Sequence, residues 1–181
     1  MNLSTVPIYI GLFYLFYTQA TQSNFVKVGI LLVLSLVCVL VDYNAFFKKY
    51  KLGFYNTVLY SLLDLLHVFV FLGVLFLLSI VVRKRNSYYL SLLNIFALFT
   101  VILFFYFKGC LLTILMYKII NVKYWTNPVD RLTYLVGLDK YNIRPRKTND
   151  NVNAWIRGQT LFFTTLFILN VYFFMKPVKP L

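Results

Sequence analysis

Asp64 and His67 stand three residues apart inside an apolar block that runs from Thr57 to Val82. On a helix that spacing puts a carboxylate and an imidazole on neighbouring positions of one face. Ionisable groups at this depth of a bilayer are costly and turn to the bundle interior or to water. The pair could therefore carry a proton, hold a ligand or make a polar contact between helices. A basic hairpin, 83–87 with Arg83, Lys84 and Arg85, follows the block, and a second apolar block, 88–107, follows the hairpin. Folding the two blocks antiparallel carries Asp64 to the level of about position 105, at about 1.5 Å per residue. Lys108, Cys110 and Thr113 come just after that level. The spacing predicts that Asp64 and Lys108 pair as an ion pair or share one small polar pocket with His67 and Thr113.

Other chemistry finds few residues to carry it. His67 is the single histidine, so a bis-histidine haem would need a second chain, and no haem or other cofactor is expected. Cys38 and Cys110 are two cysteines in or beside apolar blocks, too few for a zinc site or a disulfide framework. There is no glycine-rich phosphate loop, and no Ser or Cys lies beside the histidine in sequence with an evident third partner. The expectation is a protein that is not an enzyme, with no catalytic, cofactor or metal residues. Ser35, Ser91, Asn94 and Asn170 sit inside apolar blocks and read as hydrogen-bonding contacts between helices.

The elements that must position these residues follow from composition. Of 181 residues, 61% are hydrophobic and 13% charged, against about 45–50% and about 25% in soluble domains. A soluble domain, a disordered chain and a disulfide-rich secreted module are all excluded, and the fold class is an all-α polytopic transmembrane bundle of four or five spans forming a single membrane domain over 1–181. The expected spans are 25–41, 57–82, 88–107 and 160–175, since a crossing needs about 17–25 residues. Residues 6–18 read as a short first span or an interfacial segment. A cleaved signal fits them poorly, because no Lys or Arg precedes the apolar run. The net charge of +13 comes from 18 Lys and Arg against five Asp. These cations flank apolar blocks, which points to lipid headgroups and not to nucleic acid. With five spans, segments 42–56 and 108–159 share one side and hold twelve of the 18 cations. The positive-inside rule places that side in the cytoplasm or an organelle matrix.

Residues 121–159 form the one long polar loop, interrupted by Pro128, Gly137 and Pro145. Asn127 followed by Pro128 predicts a short helix opening at Pro128, with Asn127 as its cap. Arg144, Arg146 and Lys147 make a basic cluster for lipid headgroups or a protein partner.

Three short motifs carry a family resemblance. The first is His67-Val68-Phe69-Val70-Phe71, with Arg83 sixteen residues after the histidine. The second is Cys110-Leu111-Leu112-Thr113, and the third is Gln159-Thr160-Leu161 followed by Leu169-Asn170-Val171-Tyr172. Over 60–175 the chain resembles a domain-of-unknown-function family of small four-helix membrane proteins of bacteria and large DNA viruses. The family carries Pro and Glu around its Thr, where this chain has Leu111, Ile114 and Met116, and a second helix-four His, where Ser91 or Asn94 stands nearby. The resemblance implies a four-helix core and no known activity.

The functional expectation is a non-enzymatic integral subunit of a large membrane complex. Membrane lipids and other membrane subunits are its expected partners, and nucleic acid is not. The absence of Glu, the hydrophobicity and the lack of an Arg/Ser-rich leader suit an organelle-encoded accessory subunit of a respiratory-chain or ATP-synthase assembly in the mitochondrial inner membrane. A viral or bacterial membrane is the alternative location, and a stand-alone transporter or ligand- or proton-binding protein using Asp64 and His67 the alternative function. Phe104, Phe105, Phe162, Phe163 and Phe174 are expected to face other subunits or ordered lipid, since a helix buries one stripe in a small bundle.

Overall fold

A computed structural model describes residues 6–45, 48, 51–107, 110–120, 128–137 and 148–175. Among these, all regular structure is helical: α1 (Val6–Gln19), α2 (Asn24–Ala45), α3 (Phe54–Lys84), α4 (Ser87–Phe107), α5 (Leu111–Ile120), α6 (Pro128–Leu135) and α7 (Thr148–Met175). Apolar runs in a bilayer must satisfy every backbone group within the segment, and helices do so. Three stretches, Asn24–Asn44, Phe54–Lys84 and Ser87–Phe107, are long and apolar enough to cross a membrane. Thr160–Met175 is a shorter apolar stretch that ends the 28-residue α7. Two features depart from the sequence reading. The last helix begins at Thr148, so the expected polar loop 121–159 contains both α6 and the first twelve residues of α7. A further helix, α5, begins at Leu111, which the apolar blocks did not single out. Helix α6 opens at Pro128 as the proline predicts, while Asn127 lies outside the described residues.

Helix α3 is the axis, packed against α1, α2, α4 and α5, with α7 on α4 and α6 against α1 and α2. Tyr60, Asp64, Val68, Leu72, Phe76 and Ile80 are all buried and recur every four residues, which is one ridge of the helix surface. Leu12 and Phe16 of α1, Leu31 and Cys38 of α2, and Val129 and Leu132 of α6 join that ridge in the main core. Phe16 meets Phe76 edge-on at 4.9 Å between ring centres.

The contacts define two ends of the bundle. At one, the Arg83 guanidinium donates to the Tyr17 hydroxyl at 3.0 Å and Arg85 lies over the Tyr172 ring. The turn from α3 to α4 is Arg85-Asn86. Arg85 takes a left-handed conformation with φ of 49° and donates its N–H to the Val81 carbonyl, closing α3. Asn86 Oδ1 accepts the Tyr88 N–H at 2.8 Å, capping α4. At the other end, Asp42 near the close of α2 meets Tyr60 and Arg131. Single cysteines at Lys51 and Gly137 should accordingly react with an impermeant maleimide from one side of the membrane and a cysteine at Lys84 from the other. Labelling of all three from the same side would contradict this arrangement.

Helices α4 and α7 are tied by a reciprocal amide pair. The Asn94 and Asn170 side chains each donate to the other at 3.0 Å, the interhelical role expected of them. Around it Leu90, Leu93, Ala97 and Leu166 form a second core with Val81, against which Phe162 and Phe163 pack. This corrects the outward placement expected for those two rings. Phe105 and Phe174 are exposed, at 77% and 89%, and the Phe104 side chain lies outside the described residues. Asn94→Ala should cost about 0.6–2 kcal/mol, the usual range for a hydrogen bond between membrane helices. A reversible SDS titration of the purified chain measures it.

Candidate functional site

The buried ridge of α3 carries two polar groups, each served by a different partner. Asp64 is 1% exposed. It receives both terminal nitrogens of Arg131 from α6, Nη1 to Oδ2 at 2.7 Å and Nη2 to Oδ1 at 2.9 Å. This two-pronged geometry is the strongest pairing a guanidinium makes with a carboxylate. Arg131 Nη1 also donates to the Cys38 carbonyl at 3.4 Å. Its Nη2 lies 3.8 Å from Asp42 Oδ2, and that same oxygen accepts the Tyr60 hydroxyl at 3.3 Å. Asp42, Asp64 and Arg131 are all buried to about the same degree. The cluster joins α2, α3 and α6, whose contributing residues stand up to 93 positions apart.

Local sequence explains how a charged residue from a polar stretch reaches the interior. Pro128 starts α6, and Val129, Leu132 and Thr133 are buried along it beside Arg131. Thr133 returns its hydroxyl to the Val129 carbonyl at 2.7 Å, so it brings no unpaired donor into the core. Gly137, with φ of +73°, turns the chain just after the helix, a conformation that favours glycine. Asp64 lies twenty residues before Lys84, about 30 Å along the axis. The hydrocarbon layer is about 30 Å thick. With the Arg85-Asn86 turn at one interface, the charge cluster therefore stands at the level of the other.

His67, one turn further along α3, has a separate set of partners. Its Nε2 is 3.7 Å from the Cys110 sulfur. Cys110 directly precedes α5, and its carbonyl accepts the Ile114 N–H at 3.0 Å. Thr113 supplies both its backbone N–H and its hydroxyl to the same sulfur. Burial pushes the Cys110 thiol up, but the His67 hydrogen bond and charge, with the two Thr113 donors, outweigh it and bring the thiol down to about 6.

The pocket expected from sequence is thus divided. His67 and Thr113 meet, with Cys110 between them. Asp64 is paired with Arg131; the expected partner Lys108 lies outside the described residues, as do Arg144, Arg146 and Lys147. Sequence reasoning missed Asp42 and Arg131 as site residues. The signal was present in the aspartates: two acids at or near the ends of apolar blocks need a cation, and α6 carries one amid apolar neighbours. Among the described residues no group of three or more His, Cys, Asp or Glu could hold a metal ion. No family model, curated protein or solved structure matches the chain.

Proposed function

We propose that this protein is a non-enzymatic integral subunit of a larger membrane assembly, in which its charged interior holds the chain together and its outer helices α4 and α7 meet neighbours. The observation that carries this reading is how the interior polar groups are used. Asp42, Asp64, Arg131 and Tyr60 satisfy one another across three helices, and Asn94 and Asn170 do so across two more. Meanwhile the outer pair carries large exposed apolar side chains, among them Phe99, Phe105 and Tyr106 on α4 and Phe167, Ile168 and Phe174 on α7. Interior groups spent on each other suit a scaffold better than a transporter or ligand-binding protein working through Asp64 and His67. Four spans, counting the apolar part of α7, with α1 as a fifth short one, complete the reading.

The narrower form of the proposal is an accessory subunit of a respiratory-chain or ATP-synthase complex in the mitochondrial inner membrane. The absence of Glu and the strong hydrophobicity support it; a viral or bacterial membrane is the alternative. Native electrophoresis of membranes in mild detergent, probed for this chain, tests the function. The expected result is migration with a large complex. A particle of the size of one or two copies of the chain would overturn the subunit reading.

A further inference from the structure

Cys110 and His67 are a nucleophile and a base brought together from elements 43 residues apart. Two donors from Thr113, its N–H and its hydroxyl, converge on the sulfur, and His67 Nε2 stands 3.7 Å from it, placed to take the thiol proton. Donors to sulfur favour the thiolate, which is the attacking form, and so does the start of a helix. Cys38 offers the internal contrast. It is completely buried, its backbone carbonyl is engaged by Arg131, and no histidine is near it in the described contacts. Cys110 is only half-buried.

Its depth gives the chemistry a direction. Helix α4 has 21 residues, about 31 Å, close to the thickness of the hydrocarbon layer. Cys110 follows three residues after its end, at the membrane–water boundary. The last turn of α4 there exposes Phe105 and Tyr106 to the hydrocarbon edge. A fatty acyl thioester of coenzyme A matches such a place: its chain enters the hydrocarbon and its thioester carbonyl lies at the boundary. Membrane-proximal cysteines are sites of reversible S-acylation.

We propose that Cys110 is a self-acylating site that takes a long-chain acyl group from acyl-coenzyme A, with His67 as the base. The thiol proton passes to His67 Nε2. The Cys110 sulfur attacks the thioester carbonyl, a new carbon–sulfur bond forms, and the bond to the coenzyme A sulfur breaks. The departing thiolate takes the proton back from His67. One thioester replaces another, nothing is oxidised or reduced, and the chain gains an acyl anchor beside α4.

The test uses the purified full chain in phosphatidylcholine nanodiscs with palmitoyl-coenzyme A. Intact-mass measurement before and after hydroxylamine reads thioester formation, and peptide mapping assigns the cysteine. The expected result is one hydroxylamine-sensitive palmitoyl group per chain, on Cys110 and not Cys38. His67→Ala should slow the reaction at least about tenfold, the low side of what a positioned base contributes. The wild-type mapping stands without any variant, so a misfolded His67→Ala protein does not rescue the idea. Absence of a thioester on Cys110 in the wild-type chain overturns the proposal, as does acylation of Cys38 at an equal rate. An unchanged rate in folded His67→Ala overturns the role of the histidine.

Discussion

Arg131→Met should lower the free energy of unfolding by about 3–5 kcal/mol, enough to remove most of the folded protein from membranes. The guanidinium is the partner of two buried carboxylates, 2.7 Å from Asp64 and 3.8 Å from Asp42. Removing it strands both where solvation is poor, and stranding one partner of a buried pair has this scale. Methionine keeps the length and apolar body of the side chain, so the loss reads charge and hydrogen bonds more than packing. Neutralising the whole cluster, with Asp42→Asn and Asp64→Asn added to Arg131→Met, should recover most of the loss, because no unpaired charge then remains. Arg131→Lys should fall between, since an ammonium cannot donate to both Asp64 oxygens in one plane. Unfolding by SDS titration of each purified variant gives the order: wild type, then the neutral triple, then Arg131→Lys, then Arg131→Met.

The second large effect is expected at Phe16. Its side chain is completely buried, set edge-on against Phe76 and packed in the core that α1 shares with α2, α3 and α6. In a bilayer the lipid tails are as apolar as the core, so the transfer term is small and the cost of Phe16→Ala is lost dispersion contact and an unfilled void. Phe→Ala in protein cores costs about 3–5 kcal/mol, and the low end, about 3 kcal/mol, is expected here. Phe25→Ala is the control. That ring is 88% exposed, and its removal should stay within about 0.5 kcal/mol. The comparison also decides how α1 is used: a short helix lying on the surface would lose nothing at either position.

Much of the helical frame was legible in the chain, and the reason is physical. Blocks such as 57–82 and 88–107 are apolar all round, and a lipid environment leaves them little choice but helix. Pro128 marked the start of α6, and Asn94 and Asn170 announced their contact by being amides among Phe and Leu. Depth was legible too: folding α3 against α4 by residue count brought Thr113 to the neighbourhood of His67. What the count missed was direction around the axis. Asp64 and His67 are three positions apart, and their partners approach from different neighbours, Asp64 from α6 and His67 from the start of α5. Arg131 was hidden for a related reason. It is one of seven cations in the polar stretch 121–159, where a headgroup contact is the ordinary fate of an arginine. Only the folded path of α6 shows that its apolar neighbours, Val129 and Leu132, carry it inward.

The claim on which the rest depends is that α6 is held in the bundle by the pairing of Arg131 with Asp64. A double-mutant cycle over Asp64→Asn, Arg131→Met and their combination isolates that pairing from the other effects of each substitution. Measured by SDS titration, the coupling should be at least about 2 kcal/mol in the favourable sense, the upper part of the range for contacting residues. Coupling within about 0.5 kcal/mol of zero would mean that the two side chains do not act on each other, and would contradict the charged latch.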